Sequence, residues 1–440
     1  MACRGLTWIN RCGSPQPVRR SLEAMVKAAP VQTAKKVRVY KTPLKKCVCC
    51  GNPLRVKVAS GSSTVKCTIF GSETIAAATT QSKICWPCGV HVRCNFVWLG
   101  GQKINCLSYN DMVKMGLYFA SSKTAFTIPY LELCYFRLLR AKTAPGQEAA
   151  VRQIVQGEAE GMFWQAHSFR DHLLHALEGF AVARRTPDTV VQFNLDYPAK
   201  AVVKVKNPVL LFPPSKRVTE VAFDGHFGVH RALIPDAEAA RSVRKKGRPM
   251  KVIHEHKRSC HCKVKDAERH VLPDRTAGWQ FALDPKSGQV LGAYEHLVNE
   301  RNADKVALLQ RILCMDNVNA TCLIHDNACH FESYVMSRGL SEFDGIRDFL
   351  VDTFHMKNHK CAKSTRTRRE KARVKGVNTS VCEILNAWLR PLNFFLNHVR
   401  PHSHKFWVEE ACAFYNCKRH TLSGLLCRRT NSAARARKSK

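Results

Sequence analysis

Between residues 216 and 420 the apolar residues alternate, break and resume in an order that few sheets can satisfy. Val218-Thr-Glu-Val-Ala-Phe-Asp224 has the two-residue alternation of a strand. Gly278-Trp-Gln-Phe-Ala-Leu-Asp284 and Val290-Leu-Gly-Ala-Tyr-Glu-His-Leu297 flank the turn Pro285-Lys-Ser-Gly288 and read as a hairpin. Helical spacing follows at 303–313, then a strand at 320–326, a helix near 331–336, a strand at 349–354 and a helix over 381–396. A basic insert, 233–276, separates the first strand from the second. The order is three strands, helix, strand, helix, strand, helix. An antiparallel meander joined to parallel strands is the order of an RNase H-like sheet, so an α/β fold with such a domain over 216–420 is expected.

That order brings carboxylates together. Asp224 closes the first strand and Asp326 the fourth, and these strands are neighbours in the expected sheet. Glu383 lies near the start of the late helix, where a third carboxylate reaches the same place. Converging carboxylates hold the two divalent ions, Mg²⁺ or Mn²⁺, that phosphodiester cleavage uses. Each residue has a plainer use: an Asp after a strand often forms a turn, and Ser380-x-x-Glu383 fits a capping box. Glu370, Glu409 and Glu410 are rivals for the third position.

Upstream, residues 1–40 read as a basic flexible arm, 41–125 as a cysteine cluster, and 126–215 as a helical segment with a Pro-rich linker. The stretch 107–186 reads as mostly helical, with Tyr130-Leu-Glu-Leu-Cys-Tyr-Phe-Arg-Leu-Leu as one example. The chain has 21 cysteines, an odd number, and no secretory leader is apparent, so zinc ligation explains them better than disulfides. Cys47-Val-Cys-Cys50 and Cys85-Trp-Pro-Cys88 each hold a Cys-x-x-Cys knuckle, together enough for a tetrahedral Zn²⁺. Cys49, Cys67, Cys94 and Cys106 are alternative ligands. His254, His256, Cys260 and Cys262, inside the insert, have spacing suited to a second zinc.

Lys and Arg number 70 against 34 acidic residues, a formal net charge of +36. Such an excess suits a polyanionic partner, DNA first, through counterion release. Lys245, Lys246 and Arg248 surround a Gly-Arg-Pro core that could enter an A·T minor groove. Arg366, Arg368 and Arg369 precede the Glu383 helix, where they could follow phosphates. Residues 421–440 read as a basic tail. No apolar run is long enough for a membrane span, and no membrane partner or small-molecule cofactor is expected.

Four segments resemble the Kyakuja–Dileera–Zisupton (KDZ) transposases, a DDE family. They are Phe223-Asp-Gly-His-Phe-Gly-Val-His-Arg231, Ile324-His-Asp-Asn-Ala-Cys-His330, Asp352-Thr-Phe-His355, and Asn378-Thr-Ser-Val-Cys-Glu-Ile-Leu-Asn-Ala-Trp-Leu-Arg390. The resemblance, with the cysteine region, covers most of 41–420. It implies an RNase H-like fold, a catalytic triad of Asp224, Asp326 and Glu383, and cleavage and joining of DNA in the nucleus by a homodimer. Asp352 and His355 match a signature between the second Asp and the Glu; with His359 and Cys361 they could instead hold a structural zinc. The cysteine region resembles the DNA- or chromatin-binding cluster that precedes such domains. The segment before Glu383 is shorter than in large members. A decayed or domesticated transposase that binds DNA or chromatin without cutting it is the alternative expectation.

Overall fold

The computed structural model describes residues 38–56, 64–152, 166–233, 274–297, 300–353, 355–356, 359 and 377–417. The chain divides into two compact units, Met1–Val202 and Val203–Lys440, each mixing sheet and helix.

The first unit is built on a nine-stranded sheet. Its strands are β1 (Arg38–Lys41), β2 (Arg55–Val56), β3 (Thr64–Phe70), β4 (Ile75–Ile84), β5 (His91–Arg93), β6 (Phe96–Leu99), β7 (Gln102–Asn105), β8 (Leu117–Phe119) and β9 (Thr124–Thr127). The order is β7-β6-β5-β4-β3-β9-β8, with β1 and β2 also pairing with β4. Among the described residues four α-helices accompany it: α1 (Tyr109–Met115), α2 (Ile128–Phe136), α3 (Pro145–Arg152) and α4 (Ala166–Arg184). The sequence reads 107–186 as mostly helical, but 117–127 is the β8–β9 hairpin. Gly116 ends α1 at φ +75°, a conformation that costs glycine little, and β9 then pairs in parallel with β3. The pull of an existing sheet edge outweighs local helix preference here.

The second unit carries a six-stranded sheet of β10 (Val209–Leu211), β11 (Val218–His226), β12 (Gly278–Leu283), β13 (Val290–His296), β14 (Val318–His325) and β15 (Asp348–Val351). The order is β10-β13-β12-β11-β14-β15. The pairs from β10 to β11 are antiparallel, and β11-β14-β15 are parallel. The edge strand β10 comes from the stretch read as a linker. Helix α5 (Asn302–Leu313) precedes β14, and α6 (Ala328–Arg338) follows it. Val221, Phe223, Leu291 and Leu323 share one apolar cluster with Leu308, Leu309 and Phe331 of these helices. Alternation along β11 therefore turns Ala222 and Asp224 to the other side. There α7 (Val381–Leu389) packs, burying Val381, Cys382, Leu385 and Leu389.

The continuous helix expected over 381–396 is interrupted. Pro391 falls in a 3₁₀ turn, Arg390–Leu392, between α7 and α8 (Asn393–His398), because proline can neither donate the helical hydrogen bond nor clear the preceding turn. A last helix, α9, spans 401–417.

Where the described chain breaks between β11 and β12, its two ends lie together. Ala232 and Arg275 form an antiparallel bridge, Leu233 donates to the Asp274 carbonyl at 2.8 Å, and Thr276 donates to the Arg231 carbonyl at 2.9 Å. The fully buried Arg231 guanidinium fixes this stem through Glu295, at 2.6 and 3.0 Å.

Candidate metal centres

The carboxylate centre follows from register. Ala222 pairs with Ile324 and Ile324 with Leu350 across the three parallel strands. Two residues further on, at the same level and on the same face, stand Asp224, Asp326 and Asp352. The side chains of Asp224, Asp326 and His325 offer ligand atoms within 4.8 Å of one another, and so do those of Asp352, His355 and Glu383. The structure thus brings Asp224 and Asp326 together and sets Glu383 beside Asp352 and His355. Cys382 links the two groups: burial raises its thiol pKa, and the surrounding Asp224, Glu383, Asp352 and Asp326 raise it further.

Electrostatics separate the members. Burial raises the Asp224 carboxyl well above the usual carboxylate range, and repulsion from Asp326, Glu300 and Glu383 adds to it. Burial opposes ionisation of Asp326 too, but His325, Lys305 and His355 outweigh it and hold that carboxyl below its usual range. Glu383 is raised, by burial and then by Asp352. Its Oε2 is buried with no hydrogen-bond partner, and Ser380 makes no side-chain capping bond. Glu383 is therefore not used as a cap, and repulsion from neighbouring carboxylates is left uncompensated at both Asp224 and Glu383. Hard, converging oxygens with an unsatisfied buried lone pair fit a divalent cation.

A positive support lies behind the row. Lys305, 6% exposed, places Nζ 2.8 Å from His325 Nε2 and 2.9 Å from Glu300 Oε1. His325 Nδ1 lies 2.9 Å from the Phe223 carbonyl oxygen, and Nε2 lies 2.9 Å from Asp326 Oδ1. Asn386 of α7 donates to Asp224 Oδ2 at 3.4 Å, and Asp352 Oδ2 holds His355 Nδ1 at 2.6 Å. Glu300, Lys305 and His325 are missed by sequence reasoning, whereas Asn386 lies on the helix face, shared with Glu383, that the apolar spacing leaves free to look into a cleft. Lys305 leaves a signal, a lysine on the apolar face of α5 beside Val306, Leu308 and Leu309. Glu300 leaves none.

Two of the three rivals, Glu409 and Glu410, fall away from this centre. Glu410 is buried in α9, and neither it nor Glu409 joins a metal-competent group among the described residues. His359 lies 3.5 Å from the Cys329 sulfur. Glu370, Cys361, Lys245, Lys246, Arg248, His254, His256, Cys260, Cys262, Arg366, Arg368 and Arg369 lie outside the described residues.

The second centre is made by two matching turns. Cys47 and Cys85 begin them, and Gly51 and Gly89 follow the second cysteine of each at φ +72° and +70°. Gly51 donates to the Cys47 carbonyl at 3.0 Å and Gly89 to that of Cys85 at 2.8 Å. Antiparallel pairing of Arg55 with Ile84 sets the turns side by side. The Sγ atoms of Cys47 and Cys88 are 3.5 Å apart, those of Cys50 and Cys85 3.3 Å, and those of Cys50 and Cys88 3.6 Å. All four thiols form a group positioned to bind a metal ion. Asn52, through its backbone N–H and side-chain amide, and then Cys85 lower the Cys50 thiol to about 6, which favours the thiolate that a metal needs, while, against the Cys88 backbone N–H, burial and the neighbouring thiols push Cys85 up to about 12. Cys67, Cys94 and Cys106 are buried, and burial pushes their thiols up. Cys49 is exposed and outside the group.

No helix among the described residues is long and apolar enough to cross a membrane. No protein-family profile, curated protein or solved structure matches the chain.

Proposed function

We propose that the second unit is an RNase H-like nuclease and strand transferase of the DDE transposase type, similar to the KDZ family, with Asp224, Asp326 and Glu383 as its metal-holding carboxylates. The observation that carries this reading is the aspartate row across β11, β14 and β15, faced by Glu383 from α7. The antiparallel meander continuing into parallel strands agrees with it.

Asp224 and Asp326 would hold one Mg²⁺ or Mn²⁺, and Glu383, with Asp352 and His355 beside it, a second. Such ions, when bound, activate a water or 3′-hydroxyl and stabilise the departing oxygen of the phosphodiester. Lys305 and His325 hold Asp326 in its charged form and fixed in place, and Asn386 orients Asp224. The four-cysteine group of the first unit would hold Zn²⁺, and that unit would bind DNA. A nuclear location and a homodimer belong to the same reading.

The test uses purified protein and supercoiled plasmid in Mg²⁺ or Mn²⁺. Nicking is expected, falling at least about 100-fold in Asp326→Asn, a loss typical of removing a group that acts in the transition state. If neither cation supports nicking or joining of a 3′-hydroxyl oligonucleotide, and Asp326→Asn changes neither cation binding nor DNA binding, the enzyme reading fails.

A further inference from the structure

The tips of the two cysteine turns are apolar and exposed. Val48 and Trp86 occupy the same place in each turn, directly after the first cysteine, and are 40% and 67% exposed. A tryptophan normally buries most of its large apolar surface, and the Trp86 ring packs against no other ring or cation among the described residues. Pro87 beside it is exposed as well. The turns are rigid: each is closed by its own backbone hydrogen bonds, and a metal ion on the four thiolates would lock them together.

The flanking sequence is cationic. Over residues 41–106 the sequence has nine Lys and Arg against one acid, Glu73. Lys45 and Lys46 run directly into the first turn and are exposed. Arg55, also exposed, pairs across the strands with Ile84, next to Cys85. Lys83 donates to the Leu44 carbonyl at 2.7 Å; burial, then Lys41 and Lys45 nearby, lowers its affinity for a proton. A zinc ion on four thiolates carries net negative charge, which part of this excess offsets. Lys103 pairs with Asp196 and Arg93 is buried, which leaves the exposed Lys45, Lys46 and Arg55 to meet an anion.

We infer that the Trp86 tip, with Lys45, Lys46 and Arg55 around it, is a binding site for single-stranded nucleic acid, in which Trp86 stacks on an unpaired base and the cations take the flanking phosphates. An unpaired base can cover an exposed aromatic face, whereas in a duplex the base faces are already stacked on their neighbours. The cations select a polyanion over an apolar protein surface. The inference is independent of the carboxylate centre. It rests on the four-cysteine group holding zinc, which the zinc content of each variant checks separately.

The experiment measures binding of labelled oligo(dT), and of a duplex of the same length, to the full chain at several salt concentrations. Trp86→Ala is expected to weaken oligo(dT) binding about ten-fold, the loss of one base–aromatic stack, with zinc content and duplex binding unchanged. Trp86→Phe keeps most of the affinity. Lys45→Glu together with Lys46→Glu lowers affinity and flattens its salt dependence. The proposal is overturned if zinc-loaded Trp86→Ala binds oligo(dT) like the parent chain, if duplex binding falls equally, or if poly-glutamate displaces oligo(dT) as well from Trp86→Ala as from the parent.

Discussion

The four-cysteine centre and the carboxylate centre are assembled in opposite ways. The first consists of two short turns, each complete in itself, with ligands three residues apart and a glycine directly after the second. Only one strand pairing is needed to bring the turns together. The second has no local motif. Its aspartates come from three strands far apart in sequence, aligned by register alone, and a slip of one residue in β11 or β14 would turn a carboxylate to the opposite face. A group of potential metal ligands can thus be carried by turn chemistry or by the geometry of a sheet, and the two should respond differently to damage.

The largest difference is expected on removing a thiolate. Structural zinc contributes about 10–16 kcal/mol of apparent free energy in small zinc domains. Cys85→Ser should therefore abolish zinc binding and hydrogen-exchange protection of the amides in β2 and β5. Protection in β11 and β14 should persist, since their apolar cluster contains no part of the cysteine turns. Equal loss of protection in both regions would break the comparison.

The carboxylate centre should respond in the other direction. Its metal-free form holds Asp224 against burial and repulsion, so Asp224→Asn should raise the Tm of metal-free protein at pH 7 by roughly 2–4 °C, equivalent to about 1 kcal/mol. The sign follows from proton linkage. A carboxyl raised in the folded state binds its proton more tightly there, so its penalty is absent below the unfolded pKa and grows as pH rises through the folded value. The gain from Asp224→Asn should accordingly vanish near pH 4, and divalent cations should stabilise the parent chain more than the variant. Differential scanning calorimetry across pH reads both.

This contrast also governs what could be read from sequence. Cys47, Cys50, Cys85 and Cys88 were legible because their spacing carries the geometry, and they do converge. Asp224 and Asp326 were legible because the first lies near the end of an alternating strand and the second directly follows a short apolar one, and the order of elements made those strands neighbours. The β8–β9 hairpin was not legible, because Thr124-Ala-Phe-Thr127 becomes a strand only by pairing with β3. Glu300 was hidden for a similar reason: it lies between elements, and only tertiary packing brings it to Lys305. The break at Pro391 was visible in the sequence, yet apolar spacing alone carried the expected helix through it.

The smallest effect concerns the region between β11 and β12. Replacing residues 235–272 with a short Gly-Ser link should change Tm by less than about 2 °C in a thermal melt, because loop-closure entropy varies by only about 0.6 kcal/mol per doubling of length. A larger drop would mean that the sheet depends on what lies between β11 and β12.

The stem that closes this region has a wider consequence. Arg231, Ala232 and Leu233 leave the sheet where Asp274, Arg275 and Thr276 return to it, and the buried Arg231–Glu295 pair fastens the doorway. A sheet closed in this way does not register how much chain passes through the door. Segments of very different length and chemistry could be exchanged there, in evolution or by splicing in a reporter domain, while the aspartate row keeps its spacing.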